Sequence, residues 1–212
     1  MHQYEVIMCD CSKFFTVLQA FTAIRTLHNA GYVHRDVKPS NLCIGNGSQK
    51  RTIYLVDFGL SRSIYSKDGK MRSPRRRIDF RGTMKYVSLN MHMKKEQGPV
   101  DDYICLYYST IEMNEGQLPW KNIKDAKEVE KNKKFFCFEQ FCKFTPPPFK
   151  NFYVELEKLS YRDTIDYEFF LHIIKECIPE GVNEFTPYDW EEAPTQMSEE
   201  RGIGDLQKQL PR

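Results

Sequence analysis

Eight consecutive residues, His34-Arg35-Asp36-Val37-Lys38-Pro39-Ser40-Asn41, put a carboxylate, a cation and an amide oxygen into one short stretch of chain. A second carboxylate, Asp57 of Asp57-Phe58-Gly59, follows the apolar run Ile53-Tyr54-Leu55-Val56, which reads as a buried strand. Phosphoryl transfer from ATP needs these parts: a carboxylate to orient a hydroxyl nucleophile, a cation on the moving phosphate, and hard oxygen ligands for Mg²⁺. In that chemistry Asp36 accepts a hydrogen bond from the attacking hydroxyl and takes its proton late. Lys38 places a mobile positive charge on the phosphate, and Asn41 and Asp57 offer oxygens to the metal. Each residue alone reads as a loop cap or an Asx-turn. The ordered set points to ATP and Mg²⁺ as cofactors.

These residues need elements to hold them. Positions 12–30 predict a helix with Phe14, Val17, Leu18, Phe21, Ile24 and Leu27 on one face, Asp10 or Ser12 as its cap, and Gly31 as its end. Leu42–Ile44 and Thr52–Val56 predict two short strands joined across Gly45-Asn46-Gly47-Ser48. From Gly59 to about residue 80 the composition is that of a polar, basic loop. From Asp102 to Met113 apolar residues (Ile104, Leu106, Tyr107, Ile111) fall on every side of the helix, which predicts a buried helix. Residues 121–134 are charge-rich and predict a solvated helix and loop. Two amphipathic helices are expected at 149–159 and 166–178. The division is one domain over 1–190 and a polar, disordered tail over 191–212.

Composition narrows the class. The 212 residues are 41% hydrophobic, enough for one sizeable core, and the net charge of +2 gives no pull toward nucleic acid or an anionic membrane. No apolar run reaches the length of a membrane span, and the first residues do not read as a signal peptide. The seven cysteines include no Cys-x-x-Cys pair, so neither a zinc site nor a disulfide framework is indicated. The expected setting is intracellular, cytoplasmic or nuclear.

The two strings match the protein-kinase signature in order and spacing. Beyond them, Phe80-Arg81-Gly82-Thr83-Met84-Lys85-Tyr86-Val87-Ser88-Leu89-Asn90 resembles the casein kinase I group, which carries Gly-Thr-x-Arg-Tyr-Ala-Ser-Ile-Asn there. Glu96-Gln97-Gly98, Asp101-Asp102 and Tyr188-Asp189-Trp190 also resemble that group. Gly116-Gln117-Leu118-Pro119-Trp120 with Lys121-Asn122-Ile123-Lys124-Asp125 is most similar to its tau-tubulin-kinase-like branch. The resemblance implies a Ser/Thr kinase acting on protein substrates. It implies that Asp102 holds the catalytic-loop backbone, that Thr83 contacts Asp36 and Lys38, and that His34, Arg35, Phe58 and Gly59 support the site. It also implies an anion pocket made by Lys85 and Lys131, hence acidic or already phosphorylated substrates. Lysine stands at 85 where the group has arginine, which removes the bidentate fork. Ser73-Pro74 among arginines reads as a phosphosite, a nuclear-localisation patch or a solvated basic loop.

The same resemblance exposes what the residues ahead of His34 do not carry. They hold one glycine (Gly31), one lysine (Lys13) and one glutamate (Glu5), with no glycine-rich loop and no strand lysine of the Val-Ala-Ile-Lys type. The expected fold is therefore a mainly helical α+β lobe, like the C-terminal lobe of a kinase, with a short catalytic-loop hairpin and the N-terminal lobe absent. Two functions compete on that basis. One is a Ser/Thr kinase; the other is a catalytically inactive, kinase-derived binding module or scaffold.

Overall fold

In the computed structural model residues 10–191 are described. The chain opens with helix α1 (Asp10–Asn29). Phe14, Val17, Phe21 and Ile24 recur along it at three- and four-residue steps and are fully buried. Gly31 ends it in the left-handed region (φ +83°), where its N–H donates to His28 O at 2.9 Å. The helix begins two residues before the expected start, so Ser12 lies inside it. Its hydroxyl accepts from Asp189 N at 2.9 Å and fastens the end of the described chain to α1.

Among the described residues, four short strands follow as two antiparallel pairs. β1 (Tyr32–Val33) pairs with β4 (Arg62–Ser63), and β2 (Leu42–Ile44) pairs with β3 (Ile53–Leu55) in the register Leu42↔Leu55, Cys43↔Tyr54, Ile44↔Ile53. The second pair is the expected hairpin. The first was not anticipated. Two-residue strands carry no readable alternation, and Arg62 sits in a stretch that composition assigns to loop.

After a helix-free stretch over 64–88 come α2 (Leu89–His92), α3 (Pro99–Glu115), α4 (Ala126–Lys134), α5 (Phe138–Phe141), α6 (Phe149–Leu156) and α7 (Tyr167–Glu176). α3 is the axis of the core. Tyr103, Leu106, Tyr107, Tyr108 and Ile111 are essentially inaccessible on all its sides, with α1 and α6 packed on it and α7 packed in turn on α1 and α6. The contacts are mainly aromatic: Phe21 stacks on Tyr103 at 4.4 Å, Tyr107 on Phe149 at 5.4 Å, and Phe152 meets Phe170 edge-on at 5.2 Å. The Asp101 carboxylate accepts from Gly98 N at 2.7 Å and caps the start of α3, while Gly116 (φ +76°) ends it.

Two expectations need correction and one lies beyond reach. α6 and α7 stop at Leu156 and Glu176, short of the expected 159 and 178. The segment 121–134 is not uniformly solvated, because Val129 and Lys133 of α4 are buried. The tail expected after residue 190 lies outside the described residues. Among those described, no helix is long and apolar enough to cross a membrane.

Candidate active site

The carboxylate, cation and hydroxyl singled out from the sequence meet in a closed ring. Lys38 Nζ donates to Asp36 Oδ2 at 2.6 Å and to Thr83 Oγ1 at 3.1 Å, and Thr83 Oγ1 donates to Asp36 Oδ1 at 2.7 Å. Both Asp36 oxygens are thus oriented by neighbours before any substrate arrives. Asp36 is mostly buried while Lys38 is half-exposed, so the ring stands at a surface with its carboxylate set into the wall.

The loop that carries the ring is bent. Arg35 has φ +70°, a conformation that costs a non-glycine residue of order 1–3 kcal/mol. Asp102 of α3 supplies the compensation. Its Oδ2 accepts from His34 N and its Oδ1 from Arg35 N, both at 2.7 Å, and Oδ2 also meets His28 Nε2 at 2.9 Å. Asp102 is 1% exposed, so these bonds form away from water, where leaving either amide unpaired costs most. The buried helix α3 therefore fixes the loop that carries Asp36.

The two candidate metal ligands are adjacent because of the hairpin. Val56 N donates to Asn41 O at 3.0 Å, which sets the end of one strand beside the start of the other and brings Asp57 next to Asn41. Asn41 Nδ2 donates to Asp36 O at 2.9 Å, leaving the amide oxygen as its remaining acceptor. Asp57 is exposed and held at φ +65°, with Oδ1 accepting from Gly59 N at 3.3 Å. A buried amide oxygen and an exposed carboxylate are the oxygen donors that these two residues could offer a hard cation such as Mg²⁺. His34 joins the pieces. Its Nε2 meets Val56 O at 3.0 Å, its Nδ1 accepts from Asp36 N at 3.3 Å, and its ring packs edge-on against Phe58 at 5.3 Å.

Behind the ring lies a charge cluster. Glu96, 4% exposed, receives Arg75 in a two-pronged contact (2.5 and 3.0 Å), with Arg35 and Arg62 each at 3.9 Å. Burial would raise the Glu96 pKa, but the Arg75 hydrogen bond and the charges of Arg75 and Arg62 outweigh it and hold the carboxyl below its usual range. Burial lowers the Arg35 pKa, with Glu96 opposing. Arg35 also donates from Nε to Leu60 O at 2.6 Å. The cluster ties the catalytic loop, the stretch after Asp57 and the basic segment around Arg75 to one carboxylate.

The pattern described as Protein kinase domain matches residues 3–183. The chain belongs to the protein kinase family. Among its relatives, a Dictyostelium discoideum protein named "Probable serine/threonine-protein kinase" is 40% identical over 82% of this chain and 36% of its own length. Two Caenorhabditis elegans proteins are similar as well. One, named "Putative casein kinase I", is 34% identical over 82% of this chain and 52% of its own. The other, the serine/threonine-protein kinase spe-6, is 31% identical over 89% of this chain and 52% of its own. The chain thus spans about a third to a half of the length of these kinases.

Not every candidate joins this site. Lys85 Nζ is paired with Glu112 of α3, which also receives Tyr86 OH, and Lys131 is exposed on α4. Sequence reasoning missed Lys133, two residues from Lys131. It is 2% exposed, and its ammonium donates to Met84 O at 2.8 Å and Val87 O at 2.6 Å. Nothing in a run of lysines and glutamates distinguishes the one that turns inward. The four-residue step from Val129 to Lys133 becomes informative only once Val129 is known to face the core. Glu96 was noted as part of a motif, but its partners lie 21 or more residues away in sequence and could not be read from it.

Proposed function

We propose that this protein is an ATP-dependent Ser/Thr protein kinase of the casein kinase I group, tau-tubulin-kinase-like branch, transferring the γ-phosphate of ATP to protein hydroxyls. The observation that carries the reading is the ring of Asp36, Lys38 and Thr83, anchored through Asn41 and the loop backbone to Asp102. A hydroxyl entering the ring meets Asp36 as acceptor and orienter, with Lys38 beside it to spread positive charge onto the phosphate. Asn41 and Asp57 would hold Mg²⁺, which supplies charge neutralisation at the phosphates. Preorganisation is the main contribution of the protein, since the in-line transfer requires positioning and electrostatics more than covalent chemistry. The lysine two residues after Asp36 favours the Ser/Thr reading, and the 34% identity to the C. elegans protein named "Putative casein kinase I" supports the group.

A preference for acidic or phosphorylated substrates is the finer part of the reading. A substrate anion would draw the Lys85 ammonium from Glu112 and meet Lys131 from solvent. The residues of this chain furnish the metal, phosphate and hydroxyl end of the site; a glycine-rich loop and strand lysine are not among residues 1–33.

The test is transfer of ³²P from Mg²⁺-ATP to casein by the endogenous polypeptide, isolated by immunoprecipitation, beside Asp36→Asn and Asp57→Asn versions expressed in its place. Asp36→Asn is expected to lower turnover by about 10²-fold or more, and Asp57→Asn to abolish metal-dependent ATP binding. Transfer equal to that of Asp36→Asn would remove the enzyme reading and leave a binding module.

A further inference from the structure

We propose that Lys133 is the positioning residue of the substrate-facing segment 83–87, holding that segment against α4 so that Thr83 closes on Asp36. The proposal rests on the kinase reading for what the segment does, and on contacts alone for what Lys133 holds. The ammonium donates to two carbonyls of the segment, Met84 O at 2.8 Å and Val87 O at 2.6 Å, and stands 3.3 Å from His92 Nε2. It lies over two aromatic faces, 5.1 Å from the Tyr108 centroid and 5.5 Å from that of Trp120. Trp120 Nε1 donates to Lys85 O at 2.8 Å, so three of the segment's carbonyls, at 84, 85 and 87, are taken from the same side. No carboxylate is among these contacts. A lysine buried this far is retained where its donors are needed, because the same volume filled by an apolar residue would avoid the desolvation of the charge.

The link to chemistry is short. Thr83 O accepts from Tyr86 N at 2.9 Å and Val87 N at 3.1 Å, which folds the segment into a turn. The carbonyls that Lys133 holds flank that turn on both sides, and the Thr83 hydroxyl at its start completes the ring with Asp36 and Lys38. A protein chain that brings a hydroxyl to Asp36 must pass along Thr83, Met84 and Lys85, all half-exposed. Burial lowers the Lys133 pKa to about 7. Both protonation states can keep the two carbonyl bonds, since the neutral amine still has two N–H donors.

The test is amide hydrogen exchange of residues 83–88 in this chain with Lys133→Met, which keeps length and removes the donors. Exchange at Tyr86 and Val87 is expected to accelerate about tenfold or more, while α1 and α3 keep their protection. Unchanged exchange at 83–88, or equal acceleration throughout, overturns the proposal. Lys133→Gln, which keeps an N–H₂ group on a shorter stem, stands in if the methionine variant does not fold; failure of both to fold also overturns it, since Lys133 would then hold the whole fold and not the segment. In the active polypeptide the methionine variant should lower kcat about tenfold, as expected when Thr83 no longer closes on Asp36, with the ATP KM unchanged. Loss of ATP affinity alongside would argue against it. If the unaltered polypeptide transfers no phosphate, the kinase reading fails by itself and hydrogen exchange still decides the role of Lys133.

Discussion

At the scale of single residues, the site depends on a few buried polar groups whose partners are fully specified. Asp102 is the clearest. Two backbone amides and an imidazole converge on one carboxylate, and one of those amides belongs to Arg35 in its left-handed conformation. Asp102→Ala would leave both amides buried and unpaired, an expected cost of about 3 kcal/mol or more in stability, read by urea denaturation. Asp102→Asn restores one acceptor but turns an N–H₂ toward the other amide, so it should recover stability only in part. Transfer activity is expected to fall further than stability in both, because the loop carrying Asp36 loses its bend. Equal activity at a temperature where both variants remain folded would show that the bend does not depend on Asp102.

At the scale of elements, the catalytic loop and the segment 80–88 are held at close approach by a glycine. Gly82 has φ +93°, and a Cβ there would lie 2.6 Å from Arg35 O and 2.8 Å from Val87 Cγ1. Backbone oxygen cannot swing away as a flexible side chain can. Gly82→Ala should therefore separate the two elements and displace Thr83 from Asp36, lowering transfer by about 10²-fold, while the core built on α1 and α3 stays intact. Near-ultraviolet circular dichroism, dominated by the core aromatics, is expected to be unchanged, and kcat to carry the loss. A kcat within twofold of the parent would mean the loop accommodates the methyl group. The Glu96 cluster works at the same scale. It gathers arginines from three stretches onto one carboxylate, so the order of the basic segment near Arg75 is coupled to the loop at Arg35.

At the scale of the whole molecule, buried ionisable groups set the pH range of stability. Burial, aided by the Lys133 charge and opposed by Glu130, lowers the His92 pKa from 6.5 to about 4. Between pH 4 and 6.5 the unfolded chain binds more protons there, so stability rises with pH across that window. Lys133, lowered from 10.5 to about 7 by burial with Cys105 weakly opposing, extends the rise from pH 7 upward by the same sign. Tyr103 and Tyr108 are raised above 10 by burial, so their contribution is lost as pH climbs beyond that value. The melting temperature is thus expected to increase from pH 5 to about pH 9 and fall above about pH 10. Lys133→Met should flatten the portion between 7 and 9, and a profile with the same slope in both proteins would remove Lys133 as its cause.

The sequence by itself determined the helical frame and the local strings on which the proposed phosphoryl transfer rests. Asp36, Lys38, Asn41 and Asp57 occur in local strings whose spacing points to phosphoryl transfer, and the stripe on α1, the apolar residues on every side of α3 and the Gly-rich hairpin follow from periodicities that local sterics and burial impose. The Asp102 contact was legible only through resemblance, since no local rule connects a helix residue to a loop so far upstream. The pairing of β1 with β4 and the gathering of arginines on Glu96 were decided by tertiary structure, as was the choice of Lys133 over Lys131 as the lysine that faces inward. Each requires two stretches distant in sequence to meet, and in a charged run every lysine looks equally solvated until the core shows which face of the helix it covers.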